Sequence, residues 1–170
     1  MISYDASTTT PETSTPEQRL ERLGLRLPER PPSPIGAFCN VRVSGGLAWV
    51  SGQGPVEACG RLRTGKVGAD VTLQAACADA RLVALNILAA VRTQLGSLDR
   101  ISGVVKLTGL VNATPDFADH PAVIDAASTL IADVFGVGGT HARTSYGVGS
   151  LPNQITVEID AVLELSPQPR

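Results

Sequence analysis

The residues whose types are best suited to binding or catalysis lie near the end of the chain, on two stretches that are predicted to be β-strands. Arg143 and Ser145 are two residues apart, so an extended backbone points both side chains to the same face. The stretch 155–165 begins with alternating apolar and polar residues, the polar ones being Thr156, Glu158 and Asp160. In a cleft, an arginine fork beside these groups suits a substrate carboxylate; the structural alternative is a salt bridge from Arg143 to Glu158 or Asp160.

Other reactive residue types are few and show no metal-ligand spacing. The histidines, His120 and His141, form no H-x-x-x-H pair, so neither a metal site nor a cofactor is predicted. The three cysteines have no C-x-x-C spacing and predict no disulfide framework: Cys39, Cys59 and Cys77. Free thiols are typical of a reducing compartment, and the first residues lack a signal-peptide pattern, so a cytoplasmic location is predicted.

Charge and composition argue against several classes of partner. Lys plus Arg number 14 against 16 Asp plus Glu, a net charge of −2, whereas proteins that bind nucleic acid backbones usually carry a basic excess. Apolar runs are shorter than the roughly 20 residues of a membrane span, so no membrane partner is expected. The glycine clusters at 52–54 and 136–139 do not lead from a strand into a helix, so they predict turns and not phosphate loops.

Hydrophobic periodicity predicts the elements that must position these residues. Thr72 or Asp70 opens an amphipathic helix that Gly96 closes, and a second helix is predicted over 121–135. Strands are predicted before, between and after the helices: 41–43, 47–51, 101–111, 143–148 and 155–165. The order β-β-α-β-α-β-β indicates an α+β fold, a mixed sheet with two helices on one face.

The beginning of the chain is predicted to lie outside this domain. Residues 1–14 are rich in Ser and Thr and predict a disordered tail. Residues 15–33 predict a short helix, opened by the capping box of Thr15 and Gln18, and then a proline-rich linker. The folded domain is assigned to 34–165 and a C-terminal tail to 166–170.

One feature of the predicted sheet implies an oligomer. Val104 and Val105 are neighbours in one strand, so their side chains point to opposite faces, and both are apolar. Helices cover only one of those faces, so the other is expected to pack against a partner subunit. We therefore predict a homo-oligomer.

Several motifs together resemble the reactive intermediate deaminase family, also called the YjgF family, over residues 34–165. The motifs are S-P-I-G-A-F at 33–38, V-S-G-Q-G-P-V at 50–56, T-G-K-V-G at 64–68, A-R-T-S at 142–145, L-P at 151–152 and V-E-I-D-A at 157–161. The resemblance implies a chorismate-mutase-like fold, a homotrimer and sites between subunits. It also implies hydrolysis of small carboxylate-bearing enamines and imines, such as 2-aminoacrylate, to a 2-keto acid and ammonia.

The resemblance also implies roles for particular residues. Arg143 corresponds to the carboxylate-binding arginine, Glu158 to the water-positioning glutamate and Ser51 to the serine of the S-G-Q turn, and these three form the predicted catalytic set. Arg143 is joined in substrate binding by three further residues: Phe38, Gly52 and Ser145. The family prototype carries a tyrosine where this chain has Phe38, so one phenolic hydroxyl is missing.

Three other functions stay open at this point. Phe38 and the proline-rich extension would shape a larger, more apolar pocket, which suits a bigger enamine acid from a catabolic pathway. The same cleft would also serve a trimer that binds small molecules or holds other proteins without catalysis. An endoribonuclease, an older label of the family, is disfavoured by the acidic composition.

Overall fold

The computed structural model describes residues 14–167, so the tail predicted over 1–14 lies outside it except for Ser14. It contains three helices, α1 (Pro16–Arg22), α2 (Leu73–Leu95) and α3 (His120–Phe135). The five strands are β1 (Val41–Ser44), β2 (Leu47–Gln53), β3 (Ile101–Asn112), β4 (Ala142–Val148) and β5 (Val157–Leu165). The last three residues of the predicted C-terminal tail, 168–170, are also outside the described part.

The strands form one mixed sheet in the order β1-β2-β5-β3-β4. All neighbouring strands are antiparallel except β3 and β4, which are parallel and are connected by α3. Helices α2 and α3 pack against each other and against one face of the sheet. The predicted α+β class, element order and one-sided helix layer are confirmed.

Local signals set the ends of the helices as the sequence predicts. The Thr72 hydroxyl accepts a hydrogen bond from Ala75 N at 3.2 Å, and Gly96 ends α2 in the left-handed conformation with φ of 84°. The predicted capping box of α1 is present, with Thr15 and Gln18 each bonding the other's backbone. Helix α2, and α3 together with the short 3-10 turn that extends it to residue 139, are apolar and long enough for a membrane span, but their apolar sides form the protein core.

The β-hairpin of β1 and β2 follows from its turn residues. Gly45 and Gly46 both adopt positive φ, 61° and 77°, which a two-residue hairpin turn requires and glycine adopts without strain. β2 then runs two residues beyond the predicted end at Ser51. Its pairing with β5 shifts between Val50 and Gln53, so a β-bulge includes Ser51 and Gly52.

The helix-free face of the sheet is partly apolar. Val104 is buried under the helices whereas Val105 is 46% exposed, as expected for neighbours on opposite faces. Trp49 and Tyr146 also point away from the helices and are 48% and 43% exposed. Large aromatic side chains in one such face favour a protein partner.

Candidate active site

Glu158 of β5 points to the helix-free face and into a cavity of about 230 Å³ beside the β2 bulge. One wall is the proline-rich segment that enters β1, and the other is the turn before β5. Phe38 and Gly52 line this cavity with Glu158, so three of the six predicted site residues come together. Glu158 is the only ionisable residue among the lining residues, all of which lie in the described part of the chain.

Gly52 is required by the position of Glu158. A Cβ atom added at position 52 would lie 2.9 Å from the Glu158 carboxylate carbon and closer still to Oε1. Real Cβ atoms do not approach other heavy atoms so closely, so any larger residue displaces the carboxylate. The bulge therefore supplies a bare stretch of backbone against which Glu158 rests.

Burial raises the pKa of the Glu158 carboxyl above its usual value, and the negative charge of Asp160 raises it further. Asp160 is two residues along the same strand, on the same face. A carboxyl group with a raised pKa holds a proton more readily near neutral pH, which suits a group that takes and returns protons.

A polar network fixes the wall behind this cavity. Gln53 is 3% exposed, and its side-chain amide donates to Asn40 Oδ1 at 3.3 Å and to Ser51 O at 3.1 Å. The Asn40 amide in turn donates to Pro32 O at 2.7 Å. These bonds tie the proline-rich segment to β2.

Ser51 has a supporting position in the structure. Its hydroxyl donates to Cys39 O at 2.8 Å, and its backbone N donates to Asn40 O at 2.9 Å. Ser51 is absent from the residues that line the Glu158 cavity. The structure therefore places this hydroxyl at the base of the Phe38 segment.

The turn that closes the cavity has an unusual backbone. Asn153 and Gln154 have φ of 53° and 57°, a backbone region that residues other than glycine rarely adopt. Asn153 lines the cavity, and Gln154 O accepts a hydrogen bond from Gly65 N at 2.9 Å. Strained backbone of this kind concentrates at functional sites, which supports a role for this cavity.

Arg143 lies on the opposite face of the sheet from Glu158. β3 separates β4 from β5; Leu107 pairs with Arg143 on one side and with Ala161 on the other. Leu107 and Ala161 belong to the core under the helices, so Arg143 points to the helix side. The structural alternative, a salt bridge from Arg143 to Glu158 or Asp160, is therefore not formed, because β3 lies between β4 and β5 and the side chains face opposite sides of the sheet.

Arg143 is held instead by α3. Its Nη1 donates to Asp125 Oδ1 and, at 3.1 Å, to Ser128 Oγ. Ser128 Oγ also contacts His141 Nε2 at 3.0 Å, and His141 Nδ1 contacts Gly139 O at 2.6 Å. Sequence analysis missed Asp125 and Ser128, since nothing in α3 indicates which strand residue they meet.

Ser145 shares the face of Arg143, as predicted, and is the next residue along this row. Its Oγ is buried and forms no hydrogen bond within the described part of the chain. A buried hydroxyl without a partner is uncommon, so it marks a position that a ligand or a second subunit can complete.

Thr156 does not point to the helix-free face of the sheet, where Glu158 and Asp160 lie. It is 1% exposed, precedes β5 and donates to Asp79 Oδ2 of α2 at 2.7 Å. Asp79 also accepts a bond from Arg63 Nη1 at 3.0 Å. The predicted alternation is wrong at this residue because the strand begins at Val157.

Within residues 14–167 no group of three His, Cys, Asp or Glu side chains is placed to hold a metal ion. The cysteines are free thiols, with Cys39 and Cys59 exposed and Cys77 half-buried.

The protein is of the α+β class, with its helices on one face of a mixed sheet. The cavity of Glu158 lies on the other face, and Arg143 lies on the edge strand. The family described as "YjgF/chorismate_mutase-like, putative endoribonuclease" matches residues 17–162. The chain belongs to this family, which confirms the resemblance seen in the motifs.

Individual relatives support the same assignment. Protein TCP17 of Trypanosoma cruzi is 40% identical over 148 residues, 86% of this chain and 92% of that protein. The structure of Atu1372 from Agrobacterium tumefaciens, described as of unknown function, is 43% identical, covers 89% of this chain and 92% of its own, and has a TM-score of 0.81. A Shewanella oneidensis protein called a "putative endoribonuclease" is 32% identical, covers 89% and 100%, and has a TM-score of 0.84.

Proposed function

We propose that this protein hydrolyses reactive enamine and imine acids of the 2-aminoacrylate and 2-iminopropionate type to 2-keto acids and ammonia. The observation that carries the proposal is the complementarity of the two locations. The Glu158 cavity has an acid–base group and no cation, whereas Arg143 has a cation on the edge strand. A substrate with a carboxylate and an electrophilic C=N carbon needs both.

The two locations face opposite sides of the sheet, so one chain does not form a complete site by itself. Repeated head-to-tail contact between copies brings the Arg143 side of one subunit against the Glu158 side of the next, and a closed ring satisfies every interface. The exposed aromatic residues Trp49 and Tyr146 provide apolar surface for such contacts. A homotrimer with three equivalent sites is the assembly we propose.

In this site each group has a defined part in the reaction. Arg143 holds the substrate carboxylate and so fixes the C=N carbon next to a water on Glu158. 2-Aminoacrylate becomes the 2-imino acid when C3 gains a proton and the nitrogen loses one. Glu158 then takes a proton from that water as the water oxygen bonds to the C=N carbon, and returns the proton to the nitrogen. From the resulting carbinolamine, Glu158 takes the hydroxyl proton and passes it to the amino nitrogen as the C–N bond breaks, so ammonia leaves and the 2-keto acid remains.

Phe38 sets the character of the cavity mouth. Phe38 is 47% exposed and its ring carries no hydroxyl, so it offers only apolar contact to a substrate. A larger enamine acid with an apolar chain is therefore the second candidate substrate. Comparing 2-aminoacrylate with enamines of longer 2-amino acids, at equal concentration, separates the two.

The test is complementation between two inactive variants, Arg143→Ala and Glu158→Gln. Each alone is expected to lose 2-keto acid release from enzymatically generated 2-aminoacrylate. In a randomly mixed trimer about a quarter of the interfaces combine an intact Arg143 with an intact Glu158, so subunit exchange restores about a quarter of the wild-type activity. No recovery after proven exchange contradicts a shared site.

Ribonuclease activity, which the name of the Shewanella relative suggests, is tested in the same preparation. Wild-type protein is incubated with a single-stranded RNA, and Glu158→Gln serves as its control. Cleavage of RNA without keto-acid release in the first assay would replace the deaminase proposal. The net charge of −2 favours the small-molecule substrate.

A further inference from the structure

We infer that Ser128 and His141 are positioning residues that aim the guanidinium of Arg143 at the substrate carboxylate, an inference that rests on the proposed function. Ser128 lies on α3, and His141 directly precedes the edge strand β4. Neither contacts the Glu158 cavity. Their effect on the reaction therefore passes through Arg143.

The direction of every hydrogen bond in this network follows from elementary chemistry. Gly139 O can only accept, so His141 Nδ1 carries the hydrogen in their 2.6 Å contact. In the neutral ring Nε2 is then an acceptor, and the Ser128 hydroxyl donates to it across 3.0 Å. The Ser128 oxygen keeps its lone pairs for Arg143 Nη1, a donor, at 3.1 Å.

The network uses only one nitrogen of the guanidinium. Nη1 donates to both Ser128 Oγ and Asp125 Oδ1, which accounts for its two hydrogens. Nε and Nη2 make no hydrogen bond within residues 14–167. These two nitrogens form the edge that binds a carboxylate through two parallel bonds.

The surroundings allow a ligand to reach this edge. The Arg143 side chain is 23% exposed, and it lines an open surface cavity together with Ser128, Thr129 and His141. Asp125, which is 63% exposed, is the counter-ion and accepts from Nη1. The guanidinium is thus fixed through one nitrogen while its two-pronged edge remains available.

The experiment measures the orientation of Arg143 and its consequence separately. In nuclear magnetic resonance spectra, a guanidinium held at Nη1 shows slowed rotation about Cζ–Nη1, and Arg143→Lys assigns the signal. Ser128→Ala and His141→Ala are expected to weaken this restraint, because only Asp125 then accepts from Nη1 in a fixed geometry. Thr129→Ala, an exposed neighbour in the same cavity, is the matched control and keeps it.

Steady-state kinetics with 2-aminoacrylate give the second readout. Binding lost equally from the ground state and the transition state raises KM and leaves kcat unchanged. We expect about a three- to tenfold rise in KM for Ser128→Ala and His141→Ala, with kcat within about twofold of wild type. His141→Gln, whose amide oxygen can accept from Ser128, restores most of the loss.

Each outcome decides the inference. The inference is overturned by a restraint that stays unchanged in both variants, by a weakened restraint with an unchanged KM, or by a wild-type protein whose Arg143 rotates freely. If the wild-type protein does not hydrolyse 2-aminoacrylate, the proposed function fails, and the dissociation constant for pyruvate, measured by calorimetry, replaces KM. A rise in that constant for the two variants then supports positioning, whereas no change or no binding by wild type overturns it.

Discussion

The carboxylate of Glu158 lies directly against the backbone of Gly52, in the space that a side chain at position 52 would occupy. Gly52 belongs to the bulge of β2 and Glu158 to the neighbouring strand β5. The pair joins a backbone irregularity to an acid–base group, and both residues lie in motifs that resemble the family, V-S-G-Q-G-P-V and V-E-I-D-A. It is the most restrictive packing relationship in the candidate site.

Gly52→Ala is therefore expected to displace Glu158 and lower kcat/KM by about tenfold or more, since small misplacements of reacting groups are costly. The protein should remain folded, because the clash involves the end of one side chain. Gly149→Ala is the control, since a Cβ there meets no atom within 4 Å. Equal activity of the two variants would mean that the position of Glu158 is unimportant for turnover.

Arg143→Lys and Arg143→Ala are both expected to lower kcat/KM by about ten- to hundredfold, because lysine cannot reproduce a two-pronged contact. The melting temperature should change little, since the pair with the 63% exposed Asp125 is a surface ion pair. Arg81→Ala, on the exposed side of α2, removes an equal charge as the control. Near-normal turnover of both Arg143 variants would leave this residue a purely structural role.

Replacing Glu158 by Gln is expected to raise the stability of the protein at neutral pH and to abolish its activity. The pKa of Glu158 is raised in the folded protein, so its contribution to stability is complete below the unfolded pKa and is lost as pH rises through the folded value. Glu158→Gln should therefore melt at a higher temperature than wild type at neutral pH, with the gain vanishing in acid, while activity is abolished. A lower melting temperature at neutral pH would contradict the effect of burial.

A substitution of Asp160 tests the pKa of the Glu158 carboxyl group independently. The charge of Asp160 raises the pKa of Glu158, so Asp160→Asn should lower that pKa and move the acidic limb of the pH–activity profile to lower pH. The measurement is kcat/KM as a function of pH for wild type and variant. An unmoved or oppositely shifted limb would show that another group controls it.

Asp79→Ala should destabilise the fold, by about 2 kcal/mol or more in denaturant unfolding. Asp79 is 3% exposed and holds both Thr156, the residue before β5, and Arg63 of the loop before α2. Glu57→Gln, which loosens Arg63 from its exposed side only, is the control and should cost less. Similar losses in both variants would place the stabilisation at Arg63 and not at β5.

The proposed assembly predicts a particle of about three times 17.6 kDa in light scattering. Trp49→Glu, which introduces a charge into the helix-free face, should dissociate it and abolish activity together. A wild-type protein that remains monomeric at micromolar concentration is incompatible with a site shared between subunits.

The sequence alone determined what depends on local chemistry. Helix ends at Thr15, Thr72 and Gly96 follow from capping, and the hairpin at Gly45–Gly46 follows from the φ values that glycine allows. Alternation identified the strands, and the family motifs identified Phe38, Gly52 and Glu158, which the fold brings to one cavity. The helix ends and the hairpin turn depend on a few neighbouring residues, so tertiary contacts did not change them.

Only the tertiary structure decided which side of the sheet each functional residue faces. Arg143 and Glu158 lie on strands that follow each other in sequence, but β3 is inserted between them in the sheet and the registers send the two side chains to opposite faces. The anchoring of Arg143 by Asp125 and Ser128 likewise depends on how α3 crosses β4. Strand order and helix packing are set by burial of the whole core, which no local pattern encodes.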